Sequence, residues 1–184
     1  QAAHVPVLEP ADSQECYDYF KYAPQLSETL DMPVIVRLTT RISHARGFVA
    51  LGDQVENFEK DYEKQPAKYI MMPGYARGRK VDLLKRIEAA KKLSDSTELN
   101  RIEAGDGKVG VICSGVCYQY VKEALPHASI LKLGMVYPLP EQKIRDFAAS
   151  VEKLYVVEEL EPYIQRYVES LGIECIGDQV FGKA

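Results

Sequence analysis

Six residues carry most of the chemistry legible in this sequence. Arg41, His44 and Arg46 fall in one short cluster, Arg41-Ile-Ser-His44-Ala-Arg46-Gly47, and Ser114, Gly115 and Glu158 stand at the ends of apolar runs. The guanidinium fork matches carboxylate and phosphate oxygens two at a time. The first cluster therefore suits an anion contact or a charged domain interface, and a solvated surface is the plain alternative. The basic stretch Arg77, Arg79, Lys80 reads in the same two ways. Ser114 and Gly115 close one apolar run and open a helical one, where free backbone N–H groups and the positive helix end attract anions. Their plain reading is an N-cap serine and a turn glycine. Glu158 and Glu159 precede Pro162 and either reach a ligand or only complement a helix dipole.

Metal chemistry has little support. Cys113-x-x-x-Cys117 has no second Cys or His pair in register with it, as a zinc or cluster site would require. No metal ligand set is expected. The four cysteines are spread along the chain, and three lie in apolar runs or on apolar faces, so they read as buried thiols of a reducing, cytoplasmic compartment. No Gly-x-Gly-x-x-Gly or P-loop pattern occurs.

The elements that must position these residues are clearest between Lys108 and Gly177. Lys108–Gly115, Ser129–Met135, Lys153–Glu158 and Ile173–Ile176 are apolar runs of strand length. Between them, Cys117, Tyr120, Val121 and Ala124 repeat at helical spacing, as do Ile144, Phe147, Ala148 and Val151, then Ile164, Tyr167, Val168 and Leu171. This alternation predicts an α/β fold, a parallel sheet with covering helices. In such sheets ligands bind at the carboxyl ends of the strands, which selects Cys113-Ser114-Gly115, Tyr137-Pro138 and Glu158-Glu159.

The front of the chain predicts a partial β-α-β unit. Its strands would be His4–Leu8 and Val34–Thr39. Its helix would be capped by Asp12, with Glu15 completing a capping box. Pro24 is expected to kink or split that helix. Two strands and a helix are too little for a core, so the unit either joins the later sheet or, the favoured reading, is the end of a domain cut at its front. Thr40–Gly52 reads as a loop. Residues 53–106 read as an interdomain linker with one helix near Val81–Leu93. A net charge of −4 argues against nucleic acid, and no apolar run approaches the length of a membrane span.

Several stretches together carry a family resemblance. They are Val5-Pro-Val-Leu-Glu-Pro10, Pro33-Val-Ile-Val-Arg-Leu-Thr-Thr-Arg-Ile-Ser-His44, Leu99-Asn-Arg-Ile-Glu103, Cys117-Tyr-Gln-Tyr-Val-Lys-Glu-Ala-Leu-Pro126, Leu131-Lys-Leu-Gly-Met-Val-Tyr-Pro-Leu-Pro140 and Val156-Val-Glu-Glu-Leu160. In this order they resemble the middle of the α subunit of indolepyruvate ferredoxin oxidoreductases from archaea and anaerobic bacteria. The resemblance implies a transketolase-C-terminal-like domain at 107–184, the C-terminal part of a thiamine-diphosphate pyrimidine-binding domain at 1–52 and a linker at 53–106. It implies that the whole subunit decarboxylates arylpyruvates oxidatively to aryl-acetyl-CoA. Thiamine diphosphate, Mg2+ and 4Fe-4S clusters would be the cofactors, and a β subunit and ferredoxin the partners.

In that family the pyrimidine-contacting glutamate would lie before Gln1, and the diphosphate motif and cluster cysteines after Ala184. Gly105-Asp106-Gly107 resembles the start of the diphosphate motif, but no asparagine follows it and it precedes its strand, so it reads as a turn. The segment alone is therefore expected to bind no cofactor and to be inactive. The alternatives are a non-catalytic α/β interaction module or a CoA- or nucleotide-binding one. The apolar face of the front unit makes a homodimer a further expectation.

Overall fold

The computed structural model describes residues 3–53 and 61–178. Two sheets lie at its centre. The larger has the strand order β3 (Arg101–Glu103), β5 (Ser129–Leu133), β4 (Val109–Ser114), β7 (Lys153–Val157). Strands β5, β4 and β7 run parallel, and β3 is an antiparallel edge. The three helices that sequence periodicity places between the parallel strands are α5 (Cys117–Ala124), α6 (Glu141–Ala149) and α7 (Tyr163–Ser170). The strand expected at 173–176 is reduced to a single parallel bridge, Tyr155 to Ile176. Its flanks explain the brevity: Gly172 has a positive φ, and the Gly177 backbone is pressed against Gln165.

The strands bury both faces, as parallel strands under helices do. Ile112, Leu131, Leu133 and Val156 pack with Ile144, Phe147, Ile164 and Val168 from α6 and α7. The alternate residues Val111, Cys113 and Ile130 pack with Cys117 and Val121 from α5.

The front unit is α1 (Ser13–Leu30) between β1 (Val7–Leu8) and β2 (Ile35–Val36), which pair in parallel. It does not stand apart. The apolar run after β5 breaks at Gly134, and its continuation β6 (Met135–Tyr137) leaves the large sheet to pair antiparallel with β1. The Gly134 position admits no side chain, since a Cβ there would fall 2.2 Å from the Tyr19 hydroxyl. Leu8, Tyr19, Ala23, Leu26 and Met135 then form one buried cluster.

Three expectations are corrected. Pro24 does not split α1, which runs unbroken across it. Tyr19, Ala23, Leu26 and Leu30 are buried on both sides of the proline, and this shared face outweighs one missing hydrogen bond. Thr40–His44, read as loop, is the short helix α2. The stretch 53–106 carries more than one helix. A single turn, α3 (Pro66–Tyr69), precedes α4, which spans Pro73–Ser96 because Pro73 starts it at the first helical position. Edge strand β3 also lies within that stretch.

A buried network fastens α1 to the sheet. Lys132 is fully buried, and its ammonium donates to Glu15 Oε2 at 2.5 Å and to the Tyr19 hydroxyl at 2.7 Å. The Arg101 guanidinium donates to the other Glu15 oxygen at 2.8 Å, and the Ala11 N–H to the first. Asp12 caps α1 by accepting from the Glu15 N–H at 2.8 Å, as its sequence position predicts. Asn100, also fully buried, holds the Gly134 bend. Its Oδ1 accepts from the N–H groups of Gly134 and Met135, and its amide donates to Ser94.

Candidate functional site

Glu9 and Arg37 directly follow strands β1 and β2, and beside these strand ends lie the carboxyl ends of β4 and β7 and the start of β6, which runs antiparallel to β1. These ends enclose a cleft of about 780 Å³, a volume in the range of small-molecule sites. Val7, Ile35, Val136, Tyr137, Tyr163 and Tyr167 give it apolar and aromatic walls, and Arg37 and Arg166 stand at its sides. The front unit and the larger sheet each supply part of the lining, so the cleft exists only because β1 pairs with β6.

Glu9 is its least solvated charge, 4% exposed. Its one ion contact among the described residues is with Arg37, at 3.5 Å. Burial raises its pKa above the usual carboxylate value, the Arg37 guanidinium opposes that shift, and Glu159 adds to it. Its carboxylate lies over Gly115, where a Cβ would come within 2.6 Å of Glu9 Oε1. Gly115 also has a φ of +51°, so glycine is required there twice over.

Glu158 lines the cleft, but its carboxylate is committed to the backbone. It accepts from the N–H groups of Tyr163, Ile164 and Gln165 at 3.1, 2.8 and 3.0 Å. These donors belong to the first turn of α7, and the Tyr163 N–H also reaches the Glu161 carbonyl at 2.8 Å, so Glu158 caps that helix from outside it. Burial raises its pKa, and the three donors hold the shift in check. Glu159 also lines the cleft, close enough to Glu9 to push that group's pKa upward.

The structure therefore brings together Ser114, Gly115 and Glu158 from the sequence-predicted set, around Glu9. It places Arg41, His44 and Arg46 elsewhere. All three are exposed on or just after α2, and the Arg41 guanidinium stacks on Tyr120 with 5.7 Å to the ring centre. Two cleft residues, Glu9 and Arg37, escape the sequence reading. The signal was present, since each follows an apolar strand run, and the rule that selects Ser114 and Glu158 also selects them once the front unit joins the site.

The described residues do not fit the cofactors the family implies. Among them no three His, Cys, Asp or Glu side chains converge on a metal position. Asp106 folds back on its own turn, accepting from the Lys108 N–H. Cys113 and Cys117 are buried, and burial raises both thiols, Cys117 to about 12. No helix among the described residues is long and apolar enough to cross a membrane.

The fold is an α/β arrangement of transketolase-C-terminal type, shared with 2-oxoacid:ferredoxin oxidoreductases. A solved 2-oxoglutarate:ferredoxin oxidoreductase from Magnetococcus marinus, with 2-oxoglutarate, coenzyme A and succinyl-CoA bound, superposes with a TM-score of 0.60 and 14% identity, over 94% of this chain and 38% of that one. No family model matches the sequence. Among curated proteins, the indolepyruvate oxidoreductase subunit IorA of Archaeoglobus fulgidus is 38% identical over the whole of this chain. That of Thermococcus kodakarensis is 39% identical over 91% of it. The chain belongs to the family of these indolepyruvate oxidoreductase subunits. It spans 30% of the Archaeoglobus protein and 28% of the Thermococcus one.

Proposed function

We propose that the chain is the part of a 2-oxoacid:ferredoxin oxidoreductase subunit that joins a thiamine-binding domain to the transketolase-C-terminal-like one, in an enzyme whose substrates are arylpyruvates. The supporting observation is the 38% identity to an indolepyruvate oxidoreductase subunit along the full chain. In this reading the whole enzyme oxidises an arylpyruvate and coenzyme A to the aryl-acetyl-CoA and CO2, and ferredoxin takes the two electrons. Thiamine diphosphate, Mg2+ and 4Fe-4S clusters belong to parts of the protein outside this segment. A β subunit completes the assembly. Residues 1–52 are the end of the pyrimidine-binding domain, 53–106 the connection and 107–184 the following domain.

The segment's own contribution is the cleft, in which Glu9 and Arg37 from the first unit face Ser114 and Glu159 from the second. The test is turnover by the full subunit co-expressed anaerobically with its β subunit. Indolepyruvate should drive CoA-dependent ferredoxin reduction well above 2-oxoglutarate. Equal or reversed rates would reject the arylpyruvate assignment.

A second reading, a CoA- or nucleotide-binding module, has Arg37 and Arg166 on the cleft walls in its favour. Calorimetry of the chain with CoA, and separately with thiamine diphosphate and Mg2+, separates the two. Heat from CoA alone, lost in Arg37→Ala, supports the module. Heat from thiamine diphosphate contradicts the placement of its ligands outside the segment.

A further inference from the structure

Helix α4 buries one face and leaves the opposite one bare. Ala90 and Ser94 are buried, and Leu83, Ile87 and Leu93 are partly so. Val81, Leu84, Lys85, Glu88, Ala89 and Lys92 form a continuous outward stripe at helical spacing, with Val81 52% and Leu84 51% exposed. The near end of the helix is weaker still. Gly74 and Gly78 fall in its first turns, and a Cβ at either would meet nothing within 4 Å. Glycine inside a helix costs on the order of 1 kcal/mol against alanine, so this half is the less well packed and has the weaker helix propensity. Met72 and Tyr75 beside it are exposed as well.

We propose that this stripe is where a second copy of the chain docks, the two α4 helices running antiparallel about a twofold axis between Arg86 and Ile87. The stripe is complementary to its own reverse. In that register Lys85 faces Glu88 of the partner helix, and the contact repeats by symmetry. Leu84 faces the small Ala89, and Val81 lies along the aliphatic stem of Lys92. The glycine-containing half of each helix lies against the well-anchored half of the other, which supplies the packing it lacks. Lys85 and Lys92 make no ion pair with any described residue, and Glu88 has only the exposed intrahelical contact with Lys91 at 2.7 Å. A single stripe about 16 Å long is a small interface, so association in the micromolar range is expected. The inference is independent of the reaction assigned above.

The test is analytical ultracentrifugation of the chain across a concentration series up to about 200 μM, a ceiling set by the micromolar expectation. The wild type should approach dimer. Lys85→Glu and Glu88→Lys, each placing like charges opposite one another twice, should each weaken association about tenfold. The double variant K85E/E88K should regain most of it, and Leu84→Glu should abolish it. All three positions are exposed, and circular dichroism checks that the four variants fold. A monomeric wild type overturns the proposal, as does a dimer that L84E leaves intact or that the charge swap fails to restore. An α4 face covered instead by another part of a longer subunit would appear as such a monomer.

Discussion

At the scale of single residues, two glutamates in similar surroundings have opposite electrostatics. Burial raises the pKa of Glu15, but Lys132, Arg101 and the Ala11 N–H outweigh it and leave the carboxyl below its usual value. A depressed carboxylate stabilises the fold above its unfolded pKa and loses that contribution as pH falls through the folded value. Glu15→Gln should therefore be clearly less stable than wild type at pH 7, with the gap closing on acidification. Glu9 has the opposite sign. Its raised pKa means that the ionised form costs stability, and that the cost is relieved as pH falls through the folded value. The melting temperature of Glu9→Gln minus that of wild type should be greatest well above the usual carboxylate range and shrink as the solution is acidified toward it. A gap that widens on acidification would contradict the buried, ionised Glu9. Lys132→Ala removes the cation from a buried pair and leaves Glu15 without its main partner. Urea denaturation should show a loss of about 3–5 kcal/mol, and a loss under 1 kcal/mol would mean that the network contributes little.

At the scale of elements, helix α7 depends on a residue outside it. Sequence alone leaves Glu158 as either a ligand contact or a helix-dipole residue. The structure commits both its oxygens to the first turn of α7. Glu158→Ala should orphan the Ile164 and Gln165 N–H groups, while Tyr163 keeps the Glu161 carbonyl, and destabilise the fold by about 1–3 kcal/mol. Amide exchange should accelerate at Ile164 and Gln165 above all. Glu158→Gln, which keeps an acceptor but not the charge, should fall between. Unchanged exchange at those amides would return Glu158 to the pool of free cleft carboxylates. Strand β6 shows another limit of sequence reading. Ser129–Met135 reads as one strand, and nothing local says that the chain leaves the sheet at Gly134. The turn depends on Asn100, more than 30 residues upstream, and on the Tyr19 ring that the missing side chain admits.

At the scale of the whole molecule, the cleft requires both units. The Glu9 N–H donates to the Gly134 carbonyl at 2.8 Å, which ties β1 to the bend before β6, and the Arg37 N–H donates to the Leu8 carbonyl at 2.8 Å, which ties β2 to β1 beside the cleft. These two amides should exchange as slowly as those of β4, through global unfolding. Fast exchange at Glu9 with β4 protected would show the unit opening independently and the cleft with it.

The alternation of apolar runs and helical spacing from Lys108 to Gly177 determined the parallel strands and their three helices, because buried strands and amphipathic helices print their periods locally. Asp12 as a cap and Ser114-Gly115 and Glu158 at strand ends were legible for the same reason. What the local pattern could not encode was pairing. That β1 seeks β6, that Lys132 inside an apolar run meets Glu15 more than a hundred residues away, and that Glu9 and Arg37 complete the cleft while Arg41, His44 and Arg46 stay on the surface are long-range facts. Each is decided by which faces can be buried against one another once the chain is folded, and only the tertiary structure holds that information.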